Sequence, residues 1–115
     1  MNSKKVEEIS ESLEAMHKFA QIYAKQTNTF FCFDPSITSV VITGLANYKN
    51  KYGVPLCPCR NYHNEKAEID LNYWICPCVS MRERKECHCT LFLKPDQEYA
   101  SQTQKIDIDT IYENL

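Results

Sequence analysis

The chain has 115 residues, a formal net charge of −2 and seven cysteines. This length allows one domain at most, taken as residues 1–115, with a core small enough that a bound metal would add much of its stability. The charge excludes the basic field that nucleic-acid binding needs, and no apolar run approaches the ~20 residues that span a bilayer. We therefore expect no nucleic acid and no membrane among its partners.

The segment from Met1 to Ser12 is polar and charged, without the apolar core of a secretory signal. It contains several glutamates, whereas organellar transit peptides are poor in acidic residues. These features predict a reducing compartment, in which cysteines bind metal or catalyse more often than they form structural disulfides. The many Lys, Asn, Ile and Tyr residues are typical of an AT-rich coding sequence, as in an organelle genome.

A first amphipathic helix is predicted from Ser3 or a neighbour, which would cap it, to about Lys25. Apolar residues recur along it at helical spacing, with Glu and Lys between them. This stripe comprises Val6, Ile9, Leu13, Met16, Ala20 and Tyr23. We expect it to face the core, with His17 near its edge rather than in a metal site.

A second helix is predicted to begin at Asp34-Pro35-Ser36, because aspartate caps helices and the fixed φ of proline suits a first turn. It should end near Tyr48, before Gly53 and Pro55. Its predicted apolar face comprises Val40, Val41, Leu45 and Tyr48. The two helices are expected to form a hairpin that supports the cysteine-rich region.

Helical periodicity fades after Val54, and only short elements are predicted there. We expect helical pieces near Glu65–Asp70 and Met81–Glu86, and an extended run at Leu91–Leu93. Asp109 is predicted to cap a last helical turn at the end of the chain.

Six of the seven cysteines form three Cys-x-Cys pairs between residues 57 and 89. In an extended segment residues i and i+2 point to the same side, so each pair can present two sulfurs to one object. Pro58 and Pro77 push the cysteine before them toward an extended conformation. The pattern therefore predicts loops that are shaped for metal ligation before the metal binds.

Two kinds of metal site remain open at this point. Structural zinc sites usually take Cys-x₂₋₄-Cys spacing, which is wider than all three pairs. An iron–sulfur cube also takes four thiolates and is a larger object, so the spacing favours it. Four ligands leave two of the six sulfurs, which indicates redox chemistry. Inert buried thiols, as expected for Cys32 between Phe31 and Phe33, and a structural disulfide are the alternatives.

Three runs of residues carry a family resemblance: Y-G-V-P-L-C-P-C-R, W-I-C-P-C-V and M-R-E-R-K-E-C-H-C-T-L-F-L. Together they closely resemble the catalytic chain of ferredoxin–thioredoxin reductase, and the likeness extends over nearly the whole chain. With the predicted helices, it implies a mainly α domain: a helical hairpin plus short helices and loops folded around an iron–sulfur cluster.

The resemblance also implies the role of each sulfur. It implies that a [4Fe–4S] cluster is bound by Cys57, Cys76, Cys78 and Cys87. It implies that Cys59 and Cys89 form a redox-active disulfide beside the cluster, and that His88 raises the nucleophilicity of Cys59. The implied activity is ferredoxin-dependent reduction of the thioredoxin disulfide, through a mixed disulfide with thioredoxin.

The implied partners are ferredoxin, thioredoxin and a separate variable chain, with which the catalytic chain forms a heterodimer. The implied location is the plastid (chloroplast) stroma, with an organelle-encoded chain, or alternatively the cyanobacterial cytoplasm. Basic residues near the cysteines would form either a ferredoxin-docking patch or a solvated helix face interleaved with Glu83 and Glu86. These residues are Arg60, Arg82, Arg84 and Lys85. A zinc-stabilised binding module and a simple electron-carrying ferredoxin are the rival functions.

Overall fold

Helices build most of the part of the chain that the computed structural model describes, which is the backbone of residues 3–115 and the side chains of residues 10–115. They are α1 Ser3–Thr27, α2 Pro35–Tyr52, α3 Glu65–Leu71, α4 Val79–Arg84 and α5 Ile108–Glu113. Over these described residues, β-structure is limited to three isolated antiparallel bridges. The predicted mainly α fold is therefore confirmed.

Helices α1 and α2 pack against each other, which confirms the predicted hairpin. The contact is built from small and aliphatic side chains, because their spacing along each helix places them on one face. Buried on α1 are Leu13, Met16, Ala20 and Ala24, and buried on α2 are Val41, Ile42, Leu45 and Ala46. The predicted cap at Ser3 and the side chains of Val6 and Ile9 lie outside the described side chains.

The start of α2 is as predicted, with the Asp34 carboxylate accepting a hydrogen bond from the Ser36 backbone N–H. The helix runs four residues beyond the predicted end and stops at Gly53, whose φ of 82° is left-handed. The assignment of Val40 to the buried face is wrong, since its side chain is 63% exposed. At about 100° per residue, the buried Val41, Ile42 and Leu45 lie on one face of α2, and Val40 lies on the opposite face.

The short elements differ from their predicted bounds by a residue or two. Helix α4 begins two residues before Met81 and ends where Lys85 adopts a left-handed φ of 54°. The predicted cap at Asp109 is wrong, because α5 begins at Ile108 and the Asp107 carboxylate accepts from the Asp109 N–H. Of the predicted extended run at 91–93, only Leu93 forms a bridge, with Phe30.

Cys32 is buried and lies in the bridge with Ala100. The environment is that expected of an inert thiol. Among the described helices, none combines the length and apolar character that crossing a bilayer requires.

Candidate redox site

A single antiparallel bridge between Leu56 and Ile75 brings the first two cysteine pairs side by side. The Cys57 N–H donates to the Trp74 carbonyl at 2.8 Å, and the Cys76 N–H donates to the Pro55 carbonyl at 2.9 Å. These bonds satisfy backbone groups that would otherwise be costly to bury, so they hold the two loops in register.

Helix α4 connects the second pair to the third. Cys78 is the N-cap residue of α4, and the chain turns back after the helix as the Glu86 N–H donates to the Ser80 carbonyl at 3.3 Å. A tight turn follows, in which the Thr90 N–H donates to the Cys87 carbonyl at 3.2 Å. The short helix thus returns the third cysteine pair to the first two.

Cys59 and Cys89 are joined by a disulfide, with their Cα atoms 5.5 Å apart, within the range typical of such bonds. The two sulfurs differ in environment: Cys59 is exposed, whereas Cys89 is only 6% exposed. The Cys89 Sγ also lies 3.0 Å from the Cys57 Sγ. The disulfide therefore joins an exposed cysteine to a buried one, and the sulfur of the buried cysteine lies against a thiol of the first pair.

The four other cysteines of the three Cys-x-Cys pairs line one buried cavity, here called the sulfur cavity. It is lined by five cysteines, Cys57, Cys76, Cys78, Cys87 and Cys89, and by His88 and apolar residues that include Val41, Leu45, Met81, Leu91 and Phe92. Cys57 and Cys78 are buried, and Cys76 and Cys87 are half-buried. All four predicted cluster ligands are thus brought together, although they come from loops thirty residues apart in the chain.

The cavity disfavours free thiolates. Burial raises the pKa of the Cys76 thiol well above its usual value, and the neighbouring Cys87, Cys57 and Cys78 raise it further. Burial likewise raises the pKa of Cys57 and Cys87. Such thiols ionise readily only beside a positive centre, so the donor set suits soft, thiolate-bound metal. Within the described residues, no three histidine, cysteine or carboxylate side chains are grouped as a single ion requires.

Two surface grooves reach the sulfur cavity from separate sides of its lining. The disulfide groove is lined by Ser36, Ile37, Val40, Val41, Cys59, His88, Cys89 and Thr90, and the arginine groove by Asn72, Ile75, Cys76, Pro77 and Arg82. The first shares Val41, His88 and Cys89 with the cavity, and the second shares Cys76 and Pro77. The grooves have no lining residue in common. The site can therefore be approached in two places.

His88, predicted to activate Cys59, lies at the surface beside the disulfide. Its ring meets the Trp74 ring edge to face, with centroids 5.9 Å apart. The Arg60 guanidinium lies over the Trp74 ring, 3.8 Å from its centroid, and the Tyr73 ring packs on Trp74 with centroids 4.7 Å apart. Trp74 packs against the core cluster that contains Cys57, Cys78 and Cys89.

The other three basic residues, Arg82, Arg84 and Lys85, differ in the hydrogen bonds and ion pairs that they form. The Arg82 Nε donates to the Pro77 carbonyl at 3.0 Å, which holds the guanidinium at the rim of the arginine groove. Arg84 is paired with Glu86 at 3.2 Å and Glu83 at 3.8 Å. The Lys85 Nζ donates to the Thr27 carbonyl at 2.9 Å, at the end of α1. Arg82 therefore fits the docking hypothesis best, and Arg84 fits the solvated helix face.

Two residues that support the site were not predicted. The Tyr62 hydroxyl donates to the Cys57 carbonyl, a contact that no local pattern indicates. Gly44 lies inside α2 and faces Pro58 of the first cysteine pair. A glycine within a helical pattern is unfavourable unless packing requires it, and this signal would have identified the position.

Comparison with known proteins agrees with this geometry. The profile of a family described as ferredoxin thioredoxin reductase catalytic beta chain matches residues 6–114. A ferredoxin-thioredoxin reductase catalytic chain from Porphyra purpurea is 58% identical over 100% of this chain and 98% of its own length. A chloroplastic one from Arabidopsis thaliana is 53% identical, covering 95% of this chain and 75% of its own length. One from Synechocystis is 54% identical, covering 90% and 88%.

Proposed function

This chain belongs to the ferredoxin–thioredoxin reductase catalytic chain family of oxidoreductases, and on that premise we propose that it uses electrons from ferredoxin to reduce the disulfide of thioredoxin. The observation that carries the proposal is the asymmetric disulfide. Its exposed sulfur, on Cys59, is open to a protein substrate, whereas its buried sulfur, on Cys89, touches Cys57 in the sulfur cavity.

We assign the remaining thiols of the three pairs as ligands of a [4Fe–4S] cluster. These are Cys57, Cys76, Cys78 and Cys87, all of which line the sulfur cavity. Four thiolates are the usual ligand set of such a cluster, and apart from the cysteines and His88 the cavity walls are apolar, which suits a cofactor that must be shielded from water. When bound, the cluster supplies one-electron chemistry beside a disulfide that needs two electrons for cleavage.

The chain's own residues then carry out thiol–disulfide exchange. Two electrons convert the Cys59–Cys89 disulfide into two thiolates. The exposed Cys59 thiolate attacks one sulfur of the thioredoxin disulfide, which forms a mixed disulfide and releases the other thioredoxin sulfur as a thiolate. Cys89 attacks the Cys59 sulfur, restores the internal disulfide and releases the second thioredoxin thiolate. Each cycle thus transfers two electrons.

His88 is positioned to move a proton in these steps. Its ring lines both the disulfide groove and the sulfur cavity, and Trp74 restrains it from one side. An imidazole there can donate a proton to a departing thiolate and, as a cation, stabilise the Cys59 thiolate. We assign it as the residue that raises the nucleophilicity of Cys59.

The overall reaction is downhill with typical potentials. A plant-type ferredoxin near −400 mV and thioredoxin near −270 mV differ by about 130 mV, or roughly 6 kcal/mol over two electrons. The reaction therefore needs no further source of energy. The protein only has to combine single electrons from ferredoxin into the two-electron reduction of a disulfide.

We assign the disulfide groove to thioredoxin. Ile37 and Val40 of α2 expose apolar surface in the groove that holds Cys59. Exposed apolar side chains beside a reactive group provide the contact area that brings a partner's disulfide within reach.

Replacing Val40 by glutamate should raise the KM for thioredoxin by about tenfold, because a charge would be buried when the partner docks. Electron transfer from ferredoxin to a dye acceptor should be unchanged, and steady-state kinetics with each partner measure both effects. Ile22→Glu is the matched control, since Ile22 is an exposed apolar residue on α1 outside this groove. Equal effects of the two variants would contradict the assignment.

We assign the arginine groove to ferredoxin, whose acidic surface would meet the guanidinium of Arg82 next to Cys76. Replacing Arg82 by glutamate should raise the KM for ferredoxin about three- to tenfold at low salt and less at high salt, because exposed charges are screened. The KM for thioredoxin and the iron content should stay the same.

The matched control is Arg84→Glu, the same change on the same helix at a residue already paired with Glu83 and Glu86. A KM for ferredoxin that rises equally in both variants would indicate a general charge effect and contradict a specific role of Arg82.

We also propose the assembly and location that the relatives' names suggest. A catalytic chain implies a second, variable chain, with which this one would form a heterodimer. The Arabidopsis relative is named chloroplastic, and the Synechocystis relative is from a cyanobacterium. We therefore propose the chloroplast stroma, with an organelle-encoded chain, or alternatively a cyanobacterial cytoplasm.

The test of the proposed function is metal analysis combined with turnover. Anaerobically purified protein should contain iron and acid-labile sulfide in a one-to-one ratio, should be brown, and should reduce thioredoxin with reduced ferredoxin. Colourless protein that contains zinc and no sulfide would support the zinc-stabilised binding module instead. Protein with the cluster that passes electrons to a dye but never to thioredoxin would support the simple ferredoxin.

A further inference from the structure

The middle of α2 approaches the first cysteine pair more closely than a side chain permits. A Cβ atom at Gly44 would lie 2.5 Å from the Pro58 Cβ and 2.9 Å from its Cγ. Both distances are far below the contact distance of carbon atoms. The proline ring cannot rotate away as a flexible side chain would, because it is closed on its own backbone. Glycine at position 44 is therefore required by this contact.

Pro58 is the central residue of the Cys57-Pro58-Cys59 loop, which is also held at other points. The Cys57 N–H donates to the Trp74 carbonyl, and the Cys57 carbonyl accepts from the Tyr62 hydroxyl. Since these bonds restrain the backbone at Cys57, a shift of Pro58 would move Cys59 more than Cys57. The contact between Gly44 and Pro58 thus affects the position of the Cys59 sulfur, which would attack thioredoxin.

We propose that Gly44 is a positioning residue, which lets α2 pack against Pro58 and thereby holds Cys59 against Cys89, whose sulfur in turn lies against that of Cys57. This inference rests on the proposed function and adds that the reaction also requires glycine at position 44, in the helical hairpin and outside the cysteine motifs. The same α2 helix contributes Val41 and Leu45 to the lining of the sulfur cavity, so the helix and the loop are seated as one unit.

A purely structural role for Gly44 makes a different prediction. If the residue only allowed α1, α2 and the loop to pack, its replacement would lower thermal stability without changing the chemistry of the folded protein. A positioning role requires that the folded variant have an altered equilibrium between disulfide and dithiol at Cys59 and Cys89, because that equilibrium depends on how the two sulfurs are held.

The experiment is a double-mutant cycle with Gly44→Ala and Pro58→Gly in the full-length holoprotein. We expect Gly44→Ala alone to slow thioredoxin reduction between roughly tenfold and a hundredfold, the range expected for misplacement of a reacting group. It should also shift the disulfide–dithiol equilibrium constant in glutathione buffers at least threefold, as measured by mass spectrometry after alkylation. In the Pro58→Gly background, where the colliding carbons are gone, the same alanine should change each quantity less than about twofold.

Asn47→Ala, an exposed position on the same helix, is the control for helix propensity and should leave both quantities unchanged. An effect of Gly44→Ala that persists in the Pro58→Gly background, or no effect in either background, would overturn the proposal. If Gly44→Ala alone fails to fold, rescue of folding and of the disulfide equilibrium by Pro58→Gly supports it, and failure of that rescue overturns it. Should the wild type not reduce thioredoxin, the proposed function fails, while the glutathione equilibrium still tests Gly44.

Discussion

Cys59→Ser is expected to lower the rate of thioredoxin reduction at least roughly a thousandfold while the bound iron stays at the wild-type level. Cys59 carries the exposed sulfur of the disulfide, so its loss removes the nucleophile that attacks the partner. It lies outside the proposed ligand set, so the metal site should persist. Anaerobic turnover with reduced ferredoxin and colorimetric iron analysis measure the two quantities.

Cys89→Ser provides the complementary result. This variant keeps the attacking sulfur on Cys59 but lacks the buried sulfur that resolves the mixed disulfide. A stable covalent complex with thioredoxin should therefore accumulate with Cys89→Ser and not with Cys59→Ser, as seen by non-reducing electrophoresis and mass spectrometry. The reverse pattern would show that the roles of the two sulfurs are exchanged.

Cys32→Ser is the matched control for both variants. It makes the same chemical change at a thiol that lies outside the lining of the sulfur cavity, in the bridge with Ala100. Its rate of thioredoxin reduction should stay within about twofold of the wild type, because distant sites act independently. A Cys59→Ser variant that still reduced thioredoxin would contradict the proposed exchange mechanism outright.

Cys78→Ala, in contrast to Cys59→Ser, should lose the bound metal and should also be less stable. Cys78 is buried, begins α4 and lines the sulfur cavity with three other thiols. In a chain this short, cluster binding contributes directly to the free energy of folding, so the thermal midpoint should fall by about 10 °C or more. Iron and sulfide analysis, visible absorption and thermal unfolding under anaerobic conditions measure the effect.

The comparison that matters is between Cys78→Ala and Cys59→Ser. If the proposed division of the six sulfurs is right, the first loses iron and activity, whereas the second loses activity alone. If Cys78→Ala kept all of its iron and sulfide, Cys78 would not be a cluster ligand. Loss of iron from Cys59→Ser would place that sulfur on the metal and contradict a free redox pair.

Local sequence signals predicted the helices well where one side chain acts on its own backbone. Asp34 and Pro35 begin α2 and Gly53 ends it, because a capping carboxylate, a fixed φ and a left-handed glycine act within a few residues. The prediction failed at Val40, since the buried face of α2 is centred on Val41, Ile42 and Leu45, and Val40 lies on the opposite side of the helix. Capping preference alone also failed once, since it placed the last cap at Asp109 rather than at Asp107.

The sequence by itself determined the chemistry available: three Cys-x-Cys pairs, a stiff proline in two of them, and motif runs specific enough to indicate a family. The family resemblance implied the bond between Cys59 and Cys89, but only the tertiary structure decided that Cys59 is exposed, that Cys89 is buried, and that Gly44 lies against Pro58. The reason is physical. Capping and periodicity act within a few residues along the chain. The distances between the sulfurs depend instead on how the α1–α2 hairpin, the Leu56–Ile75 bridge and α4 pack together.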